Sequence, residues 1–220
     1  MTAKPRIQLV HATPLAIQPI TESFTRLWPE AMVYNLLEDS LSADLQRAGG
    51  DIHVMSPRFA ALVRYVREAG ADGVLFTCSA FGPAIEAART GIEIPVLKPN
   101  EAMIEQALAL GRDIALVATF EPALAPIARE FREFPAGRHP DLQIQCCFVE
   151  GAWLALQRGD RDTHDRLIAQ ACARLAEHDV ICFAQFSMTS AHAQAEAASG
   201  RPTLTTPDSA VKQLKALLTR

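Results

Sequence analysis

The chain has 220 residues, of which 49% are hydrophobic, and its 25 acidic and 21 basic residues give a formal net charge of -4. This balance is typical of a compact globular protein and excludes a collagenous or broadly disordered chain. No basic face gathers enough Lys and Arg to offset phosphates, so we expect no nucleic-acid partner and a small metabolite as ligand.

The N-terminal sequence MTAKPRIQLVHATP has no apolar region followed by a small-residue cleavage site. No apolar run approaches the ~18 residues that a transmembrane helix needs. We therefore expect a cytoplasmic protein with no membrane partner. The five cysteines show no CxxC spacing, which predicts free thiols, no disulfide framework and no metal site.

Short apolar, β-branched runs alternate with longer amphipathic stretches along the whole chain. The predicted strands, in chain order, are residues 6–12, 51–53 continuing into Val54 (the weakest), 73–77, 94–97, 113–118, 142–149, 180–184 and 202–205. The predicted helices include residues 31–48, 57–69, 101–110, 124–134, 162–177 and 209–218. Apolar runs without alternation indicate parallel strands buried on both faces, and the βαβα rhythm predicts an α/β fold with right-handed crossovers.

An internal repeat appears when the chain is shifted by 107 positions. Ile7 then falls on Ile114, Phe76 on Phe183 and Pro95 on Pro202, and the one offset holds from the first strand to the last without a gap. The repeat predicts two pseudo-symmetric halves, each with a mostly parallel four-stranded sheet flanked by helices. The first half takes residues 1–100 with a terminal helix at 208–220, and the second takes residues 101–207. We expect the active site in the cleft between the halves, beyond the carboxyl ends of the strands.

The turn after the third predicted strand carries the chain's best candidate for chemistry, Cys78. The turn Thr77-Cys78-Ser79-Ala80 leads into a helical run, so free backbone N–H groups and the helix dipole would favour an anion and a thiolate there. A small buried side chain is the structural alternative, because free cysteines are commonly buried.

The repeat places Gln185 at the position equivalent to Cys78, since 78 plus 107 is 185. A glutamine can hydrogen-bond a carboxylate or carbonyl but cannot shuttle protons. The loops after the first strand of each half also match, and they contribute Thr13 and Thr119 as hydroxyl donors to a substrate carboxylate. Local capping is the structural alternative for both threonines.

These residues resemble the aspartate/glutamate/hydantoin racemase superfamily. The turn at Cys78, the loop Ala118-Thr119 and residues 180–187 carry the resemblance, which covers essentially the whole chain. It implies a cofactor-independent enzyme, a small carboxylate substrate and a homo-oligomer. In such enzymes two cysteines act on opposite faces of the substrate's α-carbon, and Thr and Ser hydroxyls with backbone amides hold its carboxylate.

By that resemblance Cys78 is the first thiol, whereas Gln185 stands where the second thiol is expected. The candidate catalytic pair is therefore Cys78 and Gln185. The candidate substrate-binding residues are Thr13, Ser79, Ala80, Thr119, Phe120 and Ser187.

Three hypotheses follow from this single thiol. The first is a racemase or isomerase in which Cys78 is the acid/base and His11, a water molecule or Cys182 is the second proton carrier. The second is a decarboxylase of a malonate-type acid, in which Cys78 protonates one face of an enolate-like intermediate. The third is a non-catalytic protein that binds small acids, because the fold alone does not fix the function.

Overall fold

The computed structural model describes residues 4–134 and 139–219, which form two compact α/β units. The first unit comprises Met1–Pro99 together with Ala210–Arg220, and the second comprises Asn100–Ser209. Each unit holds one four-stranded parallel sheet flanked by helices, which confirms the predicted fold class. The position of the active site between the halves stays a prediction.

The first unit has the strand order β2-β1-β3-β4, with all neighbouring strands parallel. Its elements are β1 (Arg6–His11), α1 (Ile17–Leu27), β2 (Met32–Leu37), α2 (Leu41–Arg47), α3 (Ser56–Glu68), β3 (Gly73–Phe76), α4 (Gly82–Arg89) and β4 (Val96–Leu97).

The second unit repeats this plan with the order β6-β5-β7-β8, again parallel throughout. Its elements are α5 (Glu101–Leu110), β5 (Asp113–Ala118), α6 (Leu124–Glu133), β6 (Gln143–Phe148), α7 (Ala152–Gln157), α8 (Arg161–Cys172), β7 (Val180–Phe183), α9 (His192–Ser199), β8 (Thr203–Thr205) and α10 (Thr206–Leu218). The last helix begins in the second unit and continues in the first.

The central strands differ in burial from the edge strands β2 and β6, and the sequence reflects the difference. All four residues of β3 and of β7 are buried, as a continuous apolar run requires when helices cover both faces of a sheet. The edge strands β2 and β6 share a pattern in which exposed positions outnumber the partly buried ones. The core therefore lies on the central strands.

The predictions for the second strand of the first half were wrong. Residues 32–37 of the predicted helix 31–48 form β2, which pairs in parallel with β1 from Arg6↔Met32 to His11↔Leu37. Because β2 is a half-exposed edge strand, its apolar residues do not form the continuous run that marks a buried strand. Residues 51–54 form no strand: Ile52–Met55 is a 3-10 turn, begun by the Asp51 carboxylate accepting from the His53 N–H.

The two-half repeat is confirmed, but the prediction that one offset holds without a gap was wrong. Strands β1 and β5 begin 107 residues apart, at Arg6 and Asp113, as do β3 and β7. Strands β2 and β6 begin 111 residues apart, at Met32 and Gln143. Insertions and compensating deletions in the surface segments restore the register at the central strands, where the buried sheet tolerates no slip.

The terminal helix packs closely on the first unit. A Cβ atom built on Gly73 at the start of β3 would lie 3.2 Å from both Leu214 Cδ2 and Leu218 Cδ1. Lys215 Nζ also donates to the carbonyl oxygen of Leu27, at 3.1 Å. Residues 210–218 thus complete the first unit's core from the far end of the chain. None of the described helices is long and apolar enough to cross a membrane.

Candidate active site

Cys78 lies at the carboxyl end of the buried strand β3. Its backbone is extended, with φ -124° and ψ 116°, and it precedes a 3-10 turn at Ser79–Phe81 that runs into α4. Phe81 is buried and its ring lies 5.0 Å from that of Phe59, so the turn is anchored in the first unit's core. Ser79 and Ala80 are exposed on this turn, next to the thiol.

The thiol of Cys78 is partly buried, and this burial raises its pKa above the ordinary value of a cysteine. The nearby backbone N–H of Ala80 lowers the pKa and so opposes the shift without cancelling it. The stabilisation of the thiolate that we expected from the turn is therefore outweighed by desolvation. At neutral pH the Cys78 thiol is protonated.

His11, at the end of β1, is fully buried and both of its ring nitrogens have partners. Nε2 lies 2.9 Å from Asn35 Oδ1 and Nδ1 lies 2.8 Å from the Thr77 hydroxyl. Because Asn35 Oδ1 can only accept, Nε2 carries the proton and Nδ1 accepts from Thr77. Burial lowers the pKa of His11, so it is a neutral link that fixes Thr77 beside Cys78 and has no free nitrogen for a substrate.

The second unit places Gln185 at the end of β7, as the repeat predicts. Its side-chain oxygen Oε1 accepts three hydrogen bonds: from the Thr119 N–H at 2.7 Å, the Phe120 N–H at 3.0 Å and the Thr119 hydroxyl at 3.1 Å. We call this set of three donors the Thr119 nest. Backbone N–H groups only donate, so it is the oxygen of the carboxamide, and not its nitrogen, that occupies the nest.

The equivalent loop of the first unit is open. No described residue accepts from the N–H groups of Ala12 and Thr13, which correspond to Thr119 and Phe120 in the repeat. The hydroxyl of Thr13 instead accepts from the Leu15 N–H at 3.4 Å and caps a 3-10 turn. The local capping considered from the sequence therefore applies to Thr13, whereas Thr119 belongs to the nest.

Other candidate residues fall into the same two groups. Cys78, Ser79, Ala80 and Thr13 lie on turns at the carboxyl ends of the adjacent strands β1 and β3. Phe120, which is 50% exposed, and Ser187, which is partly buried, lie on the turns after β5 and β7. The Phe120 ring lies 6.3 Å from that of Trp153, a neighbour that the sequence did not indicate.

Cys182, one candidate for the second proton carrier, is fully buried inside β7, and burial raises its pKa strongly. It is therefore not available to a substrate. A second group that sequence reasoning missed supports the Gln185 turn. The Asp165 carboxylate on α8 accepts from the Ser190 hydroxyl at 2.7 Å and lies 2.6 Å from Nδ1 of buried His164. Asp165 thus ties the turn after β7 to α8.

Among the described residues, no group of three or more His, Cys, Asp or Glu side chains is arranged to hold a metal ion. The arrangement offers instead a protonated thiol on one unit and a set of amide and hydroxyl donors on each.

A family model described as Asp/Glu/hydantoin racemase matches residues 11–217. No curated protein sequence matches the chain. Among solved structures, allantoin racemase from Klebsiella pneumoniae is similar with a TM-score of 0.73 at 18% identity, over 98% of this chain and 88% of that one.

Two further structures share the fold. A glutamate racemase isoform from Bacillus anthracis has a TM-score of 0.66 at 11% identity, over 99% of this chain and 83% of that one. Arylmalonate decarboxylase has a TM-score of 0.65 at 17% identity, over 97% of this chain and 92% of that one. The resemblance expected from the sequence is confirmed, and the chain belongs to the Asp/Glu/hydantoin racemase family of enzymes.

Proposed function

We propose that this enzyme moves a proton at the carbon next to the carboxylate of a small amino acid or carboxylic acid, without a cofactor, and that Cys78 is its acid/base. The observation that carries the proposal is the Cys78 thiol at the carboxyl end of a central parallel strand, in a member of a racemase family. Ligands of open parallel sheets bind at these strand ends.

The environment of Cys78 suits proton transfer. Burial keeps the sulfur protonated at neutral pH, so the proton that a carbanion or enolate takes up is present on it. In the reverse direction the thiolate has to form, and the nearby Ala80 N–H, which lowers the pKa of the thiol, favours it. The N–H groups of Ala12 and Thr13 lie on the neighbouring turn and are free to bind an oxygen of the substrate.

None of the side chains considered as the second proton carrier can serve in that role. Gln185 has no proton to exchange at neutral pH, and neither His11 nor Cys182 is accessible for the purpose. The second carrier is then a water molecule.

Isotope exchange tests the proposal. Single enantiomers of aspartate, glutamate, a 5-substituted hydantoin and allantoin are incubated in deuterated water, and deuterium at the α-carbon is followed together with optical rotation. We expect one of these classes to exchange, and Cys78→Ser to slow the exchange by about 100-fold or more. Cys146→Ser, which changes an exposed thiol of β6, is the matched control and retains full activity. Undiminished exchange in Cys78→Ser would refute the role of Cys78.

Decarboxylation is a second candidate function, favoured by the glutamine at the position of a second thiol. Loss of CO2 from a malonate-type acid leaves an enolate that needs a proton on one face only, and one thiol supplies it. The structural similarity to arylmalonate decarboxylase fits this reaction. Release of CO2 from phenylmalonate, with deuterium entering in one configuration, distinguishes it from racemisation.

A further inference from the structure

Three hydrogen bonds at Gln185 indicate which kind of oxygen the Thr119 nest is suited to bind. Two successive backbone N–H groups and one hydroxyl converge on a single oxygen, at 2.7 to 3.1 Å. A carboxamide oxygen has two lone pairs, whereas three convergent donors are the arrangement that stabilises an oxyanion or a carboxylate oxygen. The Thr119 nest is therefore built for an anionic oxygen but holds a neutral one from the protein itself.

The nest is well fixed on both sides. Thr119 is only 1% exposed and directly follows β5, whose last residue, Ala118, accepts a hydrogen bond from Val149. On the other side, the Ala184 N–H bonds Val117 and the Met188 N–H bonds the carbonyl of Gln185. Hydrogen bonds outside the nest therefore hold both the backbone next to Thr119 and the backbone of Gln185.

The amide nitrogen of Gln185 is the group left over. No described residue accepts from Nε2, and the side chain is partly exposed. Because the carboxamide is planar and its oxygen is held by three donors, the two N–H bonds face away from the nest. A ligand that approaches Gln185 therefore meets a fixed hydrogen-bond donor and not an open anion site.

The first unit supplies the contrast. Its equivalent N–H groups, on Ala12 and Thr13, have no acceptor among the described residues, and the residue at the position of Gln185 is the shorter Cys78. The N–H groups next to the Cys78 thiol are thus open to a ligand, whereas the equivalent N–H groups of the Thr119 nest are occupied by Gln185.

We propose that Gln185 determines the specificity of the second unit: it closes the Thr119 nest to anions and presents its own N–H donors to a carbonyl or carboxylate oxygen of the substrate. The closure of the nest by Gln185 is argued only from the three hydrogen bonds that its side-chain oxygen accepts. Only the contact with a substrate rests on the proposed function.

Closure is tested by sulfate titration of the full-length protein, followed by the backbone amide resonances of Thr119 and Phe120. In the wild-type protein we expect these two amides not to respond. In Gln185→Ala the nest is vacated and both amides should shift saturably. Gln145→Ala changes an exposed glutamine of β6 in the same unit and should behave as the wild type. An equal response of the wild type and Gln185→Ala would overturn closure, and so would no response in Gln185→Ala.

Gln185→Glu provides a second variant, which keeps the length of the side chain. Its carboxylate oxygen should take the three donors in a charge-assisted bond, move the Thr119 and Phe120 amide protons downfield and remain insensitive to sulfate. A sulfate response in this variant would also overturn closure.

The same variant tests the presented donor. It replaces the free N–H groups by an oxygen, so we expect kcat/KM for the substrate found by isotope exchange to fall about tenfold or more. Unchanged kcat/KM would reject the role of Gln185 in specificity. If no substrate is found, the proposed function fails while the sulfate result still decides closure.

Discussion

The turns that follow β3 and β7 differ in what their equivalent side chains do with the same backbone. In the first unit Cys78 keeps a protonated thiol beside two N–H groups that no described residue uses. In the second unit the side-chain oxygen of Gln185 accepts hydrogen bonds from the equivalent N–H groups and from the Thr119 hydroxyl. The proposed roles, proton transfer in one half and recognition in the other, would thus be set by one residue at each strand end.

The largest effect is expected when the first turn is made like the second. Cys78→Gln removes the thiol. The new carboxamide should also reach the N–H groups of Ala12 and Thr13 and accept hydrogen bonds from them. We expect proton exchange to fall about 100-fold or more, which is the usual contribution of a general acid or base.

Cys78→Ser removes the thiol without filling the nest and is the comparison for this variant. Sulfate should perturb the Ala12 and Thr13 amides in Cys78→Ser but not in Cys78→Gln. An equal perturbation in both would mean that the two turns are not equivalent.

An intermediate effect is expected from the reverse change, Gln185→Cys. The shorter side chain gives up the three hydrogen bonds of the nest, which should lower the free energy of unfolding by about 1–2 kcal/mol because the site is partly solvated. It also restores a thiol on the second unit, so loss of optical rotation should accelerate several-fold relative to the wild type.

Urea unfolding and polarimetry measure the two consequences of Gln185→Cys separately. Gln185→Ser, which is shortened equally but has no thiol, controls for the loss of the hydrogen bonds. If Gln185→Ser accelerates racemisation as much as Gln185→Cys does, the thiol is not responsible.

The smallest effect concerns the protonation of Cys78 in the wild type. Because burial raises its pKa, its thiolate fraction at neutral pH is below that of an ordinary cysteine, and alkylation by iodoacetamide is slow. We expect the alkylation rate to rise about tenfold per pH unit and to continue rising above pH ~9.

Peptide mass spectrometry follows Cys78 and Cys146 in the same sample. Cys146 is exposed and should be alkylated faster at pH 7. A rate at Cys78 that levels off near neutral pH would show a thiolate and contradict the direction of the shift.

The sequence was sufficient for the parts of the molecule that the core determines. The central strands were predicted because continuous apolar runs are needed where helices cover both faces, and their equal spacing gave the equivalence of Cys78 and Gln185. Strand β2 was missed because it is half exposed and Asn35 interrupts its apolar run.

The contacts of the candidate site could not be predicted from the sequence, for a different reason. The donors that hold Gln185 lie 65 and 66 residues away and two of them are backbone groups, which leave no mark in the choice of side chain. The pKa of Cys78 depends on the balance of burial against one N–H group, and only coordinates give that balance.

The helix α10 has a consequence for dissecting the protein. It begins in the second unit, while its residues from Ala210 onward pack on β3 and α1 of the first. A fragment ending at Pro99 would lack part of its own core, and Gly73 would face solvent where Leu214 and Leu218 now lie. Producing the first half alone therefore requires residues 210–219 to be joined to it by a linker. A simple truncation would not be sufficient.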